Sequence, residues 1–156
     1  ALSDLTFAKP LHVAVLMGGW ANERQVSLTS GAGVADALES KGHRVTRIDM
    51  GRDVALKLHE AKPDVVFNAL HGVPGEDGTV QGMLDLMGLA YTHSGLATSV
   101  IAIDKQLSKL VLTAAGIRMP GGRVVAVRPA PGARRSAGTD SRTASPHRRR
   151  GSGRRR

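Results

Sequence analysis

HVAVLMGGWANER, residues 12–24, decides how the rest of the chain is read. His12 to Met17 is a short β-branched and apolar run without polar alternation, as expected of a strand buried on both faces in a parallel sheet. Gly18-Gly19 breaks it. A helix is predicted over roughly Glu23 to Lys41, with Leu28, Ala32, Ala35 and Leu38 at helical spacing and Gly42 as its stop. Asn22 and Gln25 have the spacing of a capping box at its start. Strand, glycine loop and helix together form the first unit of a layered α/β domain.

The pattern repeats outward. His43 to Asp49 reads as a weaker strand and Asp53 to Ala61 as a short helix that ends before Pro63. Asp64 to Leu70 is a second buried strand, and the Gly-rich loop His71 to Gly78 follows it. Thr79 to Met87 sets Val80, Met83, Leu84 and Met87 on one helical stripe. Ala90 to Thr92 reads as extended and Ser94 to Ile103 as a short helix. Asp104 is placed to cap a last helix through Ala115, with Leu107, Leu110, Val111 and Ala114 inward. Val124 to Val127 reads as the start of a further strand. This βαβαβ order predicts a mainly parallel sheet, because parallel neighbours need crossovers, and right-handed crossovers put helices on both faces.

Composition narrows the function classes. The chain has 156 residues and no Cys, which excludes disulfides, a thiolate nucleophile and Cys-ligated zinc. No apolar run approaches the ~20 residues of a membrane helix, and ALSDLTFAKP at residues 1–10 does not read as a secretory signal. The net charge of +9 is unevenly placed. Residues 1–121 carry 11 Lys+Arg and 12 Asp+Glu, whereas residues 122–156 carry 11 Arg, no Lys and one Asp. An argument from high pI to nucleic-acid binding therefore describes the tail and not the domain.

From about Ala126 the sequence contains no Leu, Ile, Phe, Met, Trp or Tyr. Such a stretch buries too little apolar surface to offset its ordering entropy, so residues 126–156 are expected to be disordered. One reading is a basic tail that neutralises phosphates. The other is an out-of-frame product of a GC-rich gene, favoured by Arg without Lys and by the abrupt onset.

In an open α/β sheet, ligands bind beyond the carboxyl ends of the strands. Three loops fall there: 18–24, 71–78 and 91–95. None carries a dinucleotide or Walker fingerprint. Glu23 has two readings, a first-turn acid facing the helix dipole or a carboxylate presented to a substrate cation. His71 likewise either bonds a backbone carbonyl or contacts substrate. Glu76 and Asp77, adjacent in sequence, read as loop and cap residues. His93-Ser94 lacks a nucleophile elbow, and the His spacing suits no zinc site, so no metal ligand is expected.

Taken together, GG-x-x-x-ER-x-VS-x-x-SG and HG-x-x-GEDG-x-x-QG, with IDKQLSKLVLTAAGI after them, resemble the N-terminal domain of bacterial D-alanine–D-alanine ligase, an ATP-grasp enzyme. The resemblance covers about residues 11 to 125. It implies a Rossmann-like pre-ATP-grasp domain at 11–125, after an N-terminal extension at 1–10 and before the unrelated tail at 126–156. It also implies the activity: ATP phosphorylates one D-alanine, a second attacks the acyl phosphate, and the dipeptide feeds peptidoglycan synthesis. By resemblance, Glu23 holds the first D-alanine ammonium, His71 lies near that D-alanine and the phosphorylated intermediate, Ser27 belongs to the substrate motif and Lys105 reaches nucleotide phosphates. ATP and Mg²⁺ are the implied cofactors of the full-length family, and none is expected on this chain alone.

Gln25 departs from the family's usual Glu, a mild change because a neutral isostere still caps. The family's central and C-terminal domains, which enclose ATP and ligate Mg²⁺, do not follow residue 125, so the chain is expected to be a truncated part, inactive alone. D-alanine is the expected ligand, with a homodimer through the N-terminal domain, a cytoplasmic location and no membrane partner. The alternative is a stand-alone small-ligand or dimerisation module whose basic tail binds nucleic acid or anionic surfaces.

Overall fold

The computed structural model describes residues 9–122. The elements run β1 (His12–Met17), α1 (Arg24–Ser40), β2 (Arg44–Asp49), α2 (Val54–Ala61), β3 (Val65–Asn68), α3 (Thr79–Leu86), β4 (Ala90–Tyr91), α4 (Leu96–Ile103) and α5 (Lys105–Ala114). The expected strand at 124–127, the tail and most of the N-terminal extension lie outside the described residues.

The four strands form one sheet in the order β2-β1-β3-β4, and every pairing is parallel. The unalternated apolar run of β1 has its reason here, since β1 lies between two strands with helices over both faces. Its side chains alternate between two cores. Ala14 and Leu16 join Ile48, Val66, Leu58 and Leu84 on the side of α2 and α3. Val13, Val15 and Met17 join Ala35 on the side of α1. α1 comes close because Gly31 sits over Met17, where a Cβ would stand 2.6 Å from the Met17 Cβ. β2 is an edge strand with only Ile48 buried, which explains its weak signal in the sequence.

Two local expectations are corrected. The capping box does not form: Glu23 is the N-cap of α1 and makes no side-chain capping bond. Along α5, Leu107, Leu110, Val111 and Ala114 were expected inward, yet α5 buries no residue and Leu110 is 64% exposed. Its amphipathic period is genuine, but the described domain supplies no second layer for its apolar stripe to enter. The Asp104 cap is present, with its carboxylate accepting from the N–H groups of Gln106 and Leu107.

Candidate functional site

Beyond β1 the chain turns through Gly18 and Gly19, both at positive φ. No side chain fits at Gly18, because a Cβ there would collide with the Asp49 carboxylate and the Arg24 guanidinium. The loop is tied down from both sides. Toward β2, Arg24 forks onto Asp49 through Nη1 at 2.7 Å and Nη2 at 2.6 Å, and Nη1 also donates to the Gly19 carbonyl at 2.9 Å. Trp20 lies under the Arg52 guanidinium, 5.3 Å from its carbon. Toward β3, the Gly18 N–H donates to Ser27 Oγ at 2.9 Å, and that hydroxyl donates to the Ala69 carbonyl at 2.7 Å. Ser27 is fully buried and both bonds bridge elements distant in sequence.

Glu23, Ser27 and Ser30 fall at helical spacing on one stripe of α1. That stripe runs along the chain leaving β3. Ser27 meets Ala69, as above. Glu23 meets Gly72, where an added Cβ would lie 3.1 Å from Glu23 Oε2. Ser30 Oγ lies 3.4 Å from His71 Nε2. The Ser30 hydroxyl also donates to the Val26 carbonyl at 2.9 Å, which leaves its lone pairs for a His71 ring N–H. The chain leaving β3 thus meets Glu23 at Gly72 and Ser30, two turns further along α1, at His71. Glu23 caps nothing and joins no ion pair among the described residues, so its carboxylate is free for a ligand.

The β3–α3 loop is braced from beneath. Buried Asn68 donates Nδ2–H to the Gly75 carbonyl at 2.9 Å and accepts the Leu70 N–H at 3.1 Å. Buried Gln81 donates Nε2–H to the same Gly75 carbonyl at 2.8 Å. Gly75 lies flat on Leu70, where a Cβ has no room. Glu76 Oε2 accepts the Gly72 N–H at 2.9 Å, and Asp77 accepts the Thr79 N–H, so both acids serve the loop and the helix start. Beside this loop opens a hollow of about 410 Å³, which Glu76, Gln81, His93 and Lys105 help to line.

The clearest electrostatic feature is the Arg24–Asp49 pair. The hydrogen bonds from Arg24 hold the Asp49 carboxyl below the usual carboxylate range, and Asp49 in turn raises Arg24. Both side chains are about half exposed, so solvent screens the attraction and the fork chiefly sets geometry.

This geometry meets its counterparts among known proteins. The family described as the D-ala D-ala ligase N-terminus matches residues 53–94. The D-alanine–D-alanine ligase of Rhizorhabdus wittichii is 79% identical over 116 residues, which are 74% of this chain and 37% of that protein. That of Sphingopyxis alaskensis is 78% identical over 116 residues, 74% of this chain and 38% of its own. The crystal structure of the D-alanine–D-alanine ligase from Bacillus anthracis complexed with ATP superposes at a TM-score of 0.65 and 35% identity, over 71% of this chain and 38% of the other. By this N-terminal domain the chain belongs to the D-alanine–D-alanine ligase family. It spans less than two fifths of the length of these relatives.

Family membership raises the question of ATP and Mg²⁺. Among the described residues no group of three or more His, Asp or Glu side chains is arranged to hold a metal ion. Lys105 is the single lysine lining the hollow, and no Walker loop accompanies it. These residues do not by themselves fit a nucleotide with its metal.

Of the four site residues expected from the ligase motifs, Glu23 approaches Gly72, His71 approaches Ser30 further along α1, and Ser27 is buried against Ala69. Lys105 lines the hollow beside the β3–α3 loop, with which Glu23, Ser27 and His71 share no lining. Reading the sequence missed the Arg24–Asp49 fork, the Asn68–Gly75–Gln81 brace and the place of His93. Gln81 carried a signal, a polar residue between Val80 and Leu84 on the buried stripe of α3. Asp49, the last residue of an edge strand, carried none.

Proposed function

We propose that this domain is the part of a D-alanine–D-alanine ligase that grips the first D-alanine, with ATP supplied to the same reaction by other parts of the full-length enzyme. The observation that supports the reading is the uncapped Glu23 carboxylate lying on Gly72 beside His71. A fixed carboxylate is a counter-charge for the ammonium of a zwitterionic amino acid. Gly72 allows the close approach, because any side chain there would push against Glu23. His71 takes the other end of the same small ligand, its ring held beside Ser30 Oγ at 3.4 Å. Ser27 acts through the loop: it fixes Gly18 and Ala69, and so the spacing of Glu23 from His71, without touching the amino acid. Lys105 contributes charge toward the nucleotide phosphates from beside the loop. The product dipeptide serves peptidoglycan synthesis in the cytoplasm. The 156-residue polypeptide alone is inactive in ligation, and its Arg-rich end adds at most salt-sensitive, non-specific attraction for nucleic acid.

Amide-resolved NMR of the whole chain titrated with D-alanine tests this. Shifts are expected at Gly19, Glu23, His71 and Gly72, and D-alanine should be preferred over L-alanine. Glu23→Gln should abolish the shifts while leaving the melting temperature unchanged. Equal responses to both enantiomers, or an undiminished response in Glu23→Gln, would remove the role given to this carboxylate. With ATP and D-alanine, the chain is expected to release no ADP above background.

A further inference from the structure

An ammonium drawn to Glu23 has a competitor inside the chain, because the next residue is Arg24. Adjacent helical positions do not face each other, but a long arginine side chain can swing, and its charge is felt over the ~8–10 Å that physiological salt leaves unscreened. A loose guanidinium there would draw the Glu23 carboxylate to itself and repel an incoming ammonium. The fold sends the two side chains to opposite sides of β1. Glu23 lies against Gly72, on the chain leaving β3, and joins no ion pair among the described residues. Arg24 is turned toward β2, where both Nη atoms donate to Asp49, at 2.7 and 2.6 Å. Gly18 makes room for this arrangement, since a Cβ there would collide with the Asp49 carboxylate and the guanidinium. The Gly19 N–H and Lys57 also favour the ionised form of Asp49. A half-exposed pair of this kind adds little to stability, so its stability alone does not account for three groups converging on one carboxylate.

We infer that Asp49 is a positioning residue for the amino-acid site: by holding and neutralising Arg24 on the β2 side, it leaves the Glu23 carboxylate unpaired for a ligand ammonium. The inference rests on the reading of Glu23 as the counter-charge for that ammonium. Asp49 itself touches no ligand. Two carboxylates divide the work, Asp49 taking the chain's own cation and Glu23 the incoming one. Asn at position 49 keeps the size and one acceptor but loses the charge, so Arg24 is released toward Glu23.

The whole 15N-labelled chain is titrated with D-alanine in four forms: parent, Glu23→Gln, Asp49→Asn, and Asp49→Asn combined with Arg24→Gln. Asp49→Asn should weaken D-alanine binding about fivefold, the scale of one partly exposed ion pair, and added salt should shrink the loss. Arg24→Gln in that background removes the competitor and should bring the affinity back near that of the parent. It also removes the bond from Arg24 to the Gly19 carbonyl, so the melting temperature should not recover with it. Affinity regained without stability regained is a result that a merely structural fork does not give. Before any D-alanine is added, Asp49→Asn should already move the Arg24 Nε–H and the Glu23 amide and leave the central β1 amides still. Parent-like affinity in Asp49→Asn, or a double variant as weak as Asp49→Asn, would overturn the proposal while Glu23→Gln still shows Glu23 in its role. A parent chain silent to D-alanine would instead remove the role of Glu23, and unmoved Arg24 and Glu23 signals in Asp49→Asn would separately refute the hold of Asp49 on Arg24.

Discussion

α1 and α5 are both amphipathic helices of one domain, and the domain holds them differently. α1 buries Ser27, Gly31 and Ala35 against the sheet, approaches Met17 at van der Waals contact and bridges two strand ends through a hydroxyl. α5 leans on α4, buries nothing and leaves Leu110 and Val111 in solvent. Amphipathicity alone does not seat a helix; a facing layer does. The consequence for the candidate site is direct. Glu23 and His71 stand on the seated helix and the braced loop, whereas Lys105 begins a helix without a core of its own.

The largest expected effect is on the core that seats α1 and the sheet. Leu16→Ala empties a fully buried position and should cost ~2–5 kcal/mol in denaturant unfolding, whereas Leu110→Ala on α5 should stay within about 0.5 kcal/mol. Hydrogen exchange should follow, with β1 amides protected to near the global limit and α5 amides exchanging first. Comparable losses from the two substitutions would erase the contrast. Next comes the bridge. Ser27→Ala strands the Gly18 N–H and the Ala69 carbonyl and should cost ~1–3 kcal/mol, with D-alanine-induced shifts at Glu23 and His71 reduced as well. Full retention of those shifts would show that Ser27 does not set the site's spacing.

The smallest effect is electrostatic. Asp49 titrates lower in the folded state than in the unfolded one because Arg24 bonds its ionised form. The fork's contribution is therefore complete above the ordinary aspartate pKa and is lost as pH falls through the depressed folded value. Asp49→Asn should lower stability slightly at neutral pH and remove this part of the acid-side decline. Both side chains are about half exposed, so added salt should shrink the difference. Parallel pH profiles in mutant and parent would show that the fork contributes geometry alone.

Strands and helices were legible because buried parallel strands and amphipathic helices have periods that composition alone displays. β1 was placed to the residue, and the ends of α1, α2 and α3 lay within a residue or two of expectation. The ligase motifs pointed to Glu23 and His71, and the fold lays the chain leaving β3 along α1, with Gly72 near Glu23 and His71 near Ser30. What was not legible depends on contacts between segments far apart in the chain. Nothing near Asn22 or Gln25 reveals that the box stays open, because that depends on how the turn enters α1. Nothing in α5 reveals that its apolar stripe finds no layer.

Glu23 and Ser27 show the division most sharply. Local sequence determined that both lie on one stripe of α1, one turn apart, since 3.6 residues per turn leaves no other choice. Only the tertiary structure decided that the hydroxyl is sealed inside and the carboxylate left at the rim. The physical reason is where β3 ends: its outgoing chain covers the helix at Ala69, and a buried hydroxyl can be satisfied by two backbone groups where a buried carboxylate cannot.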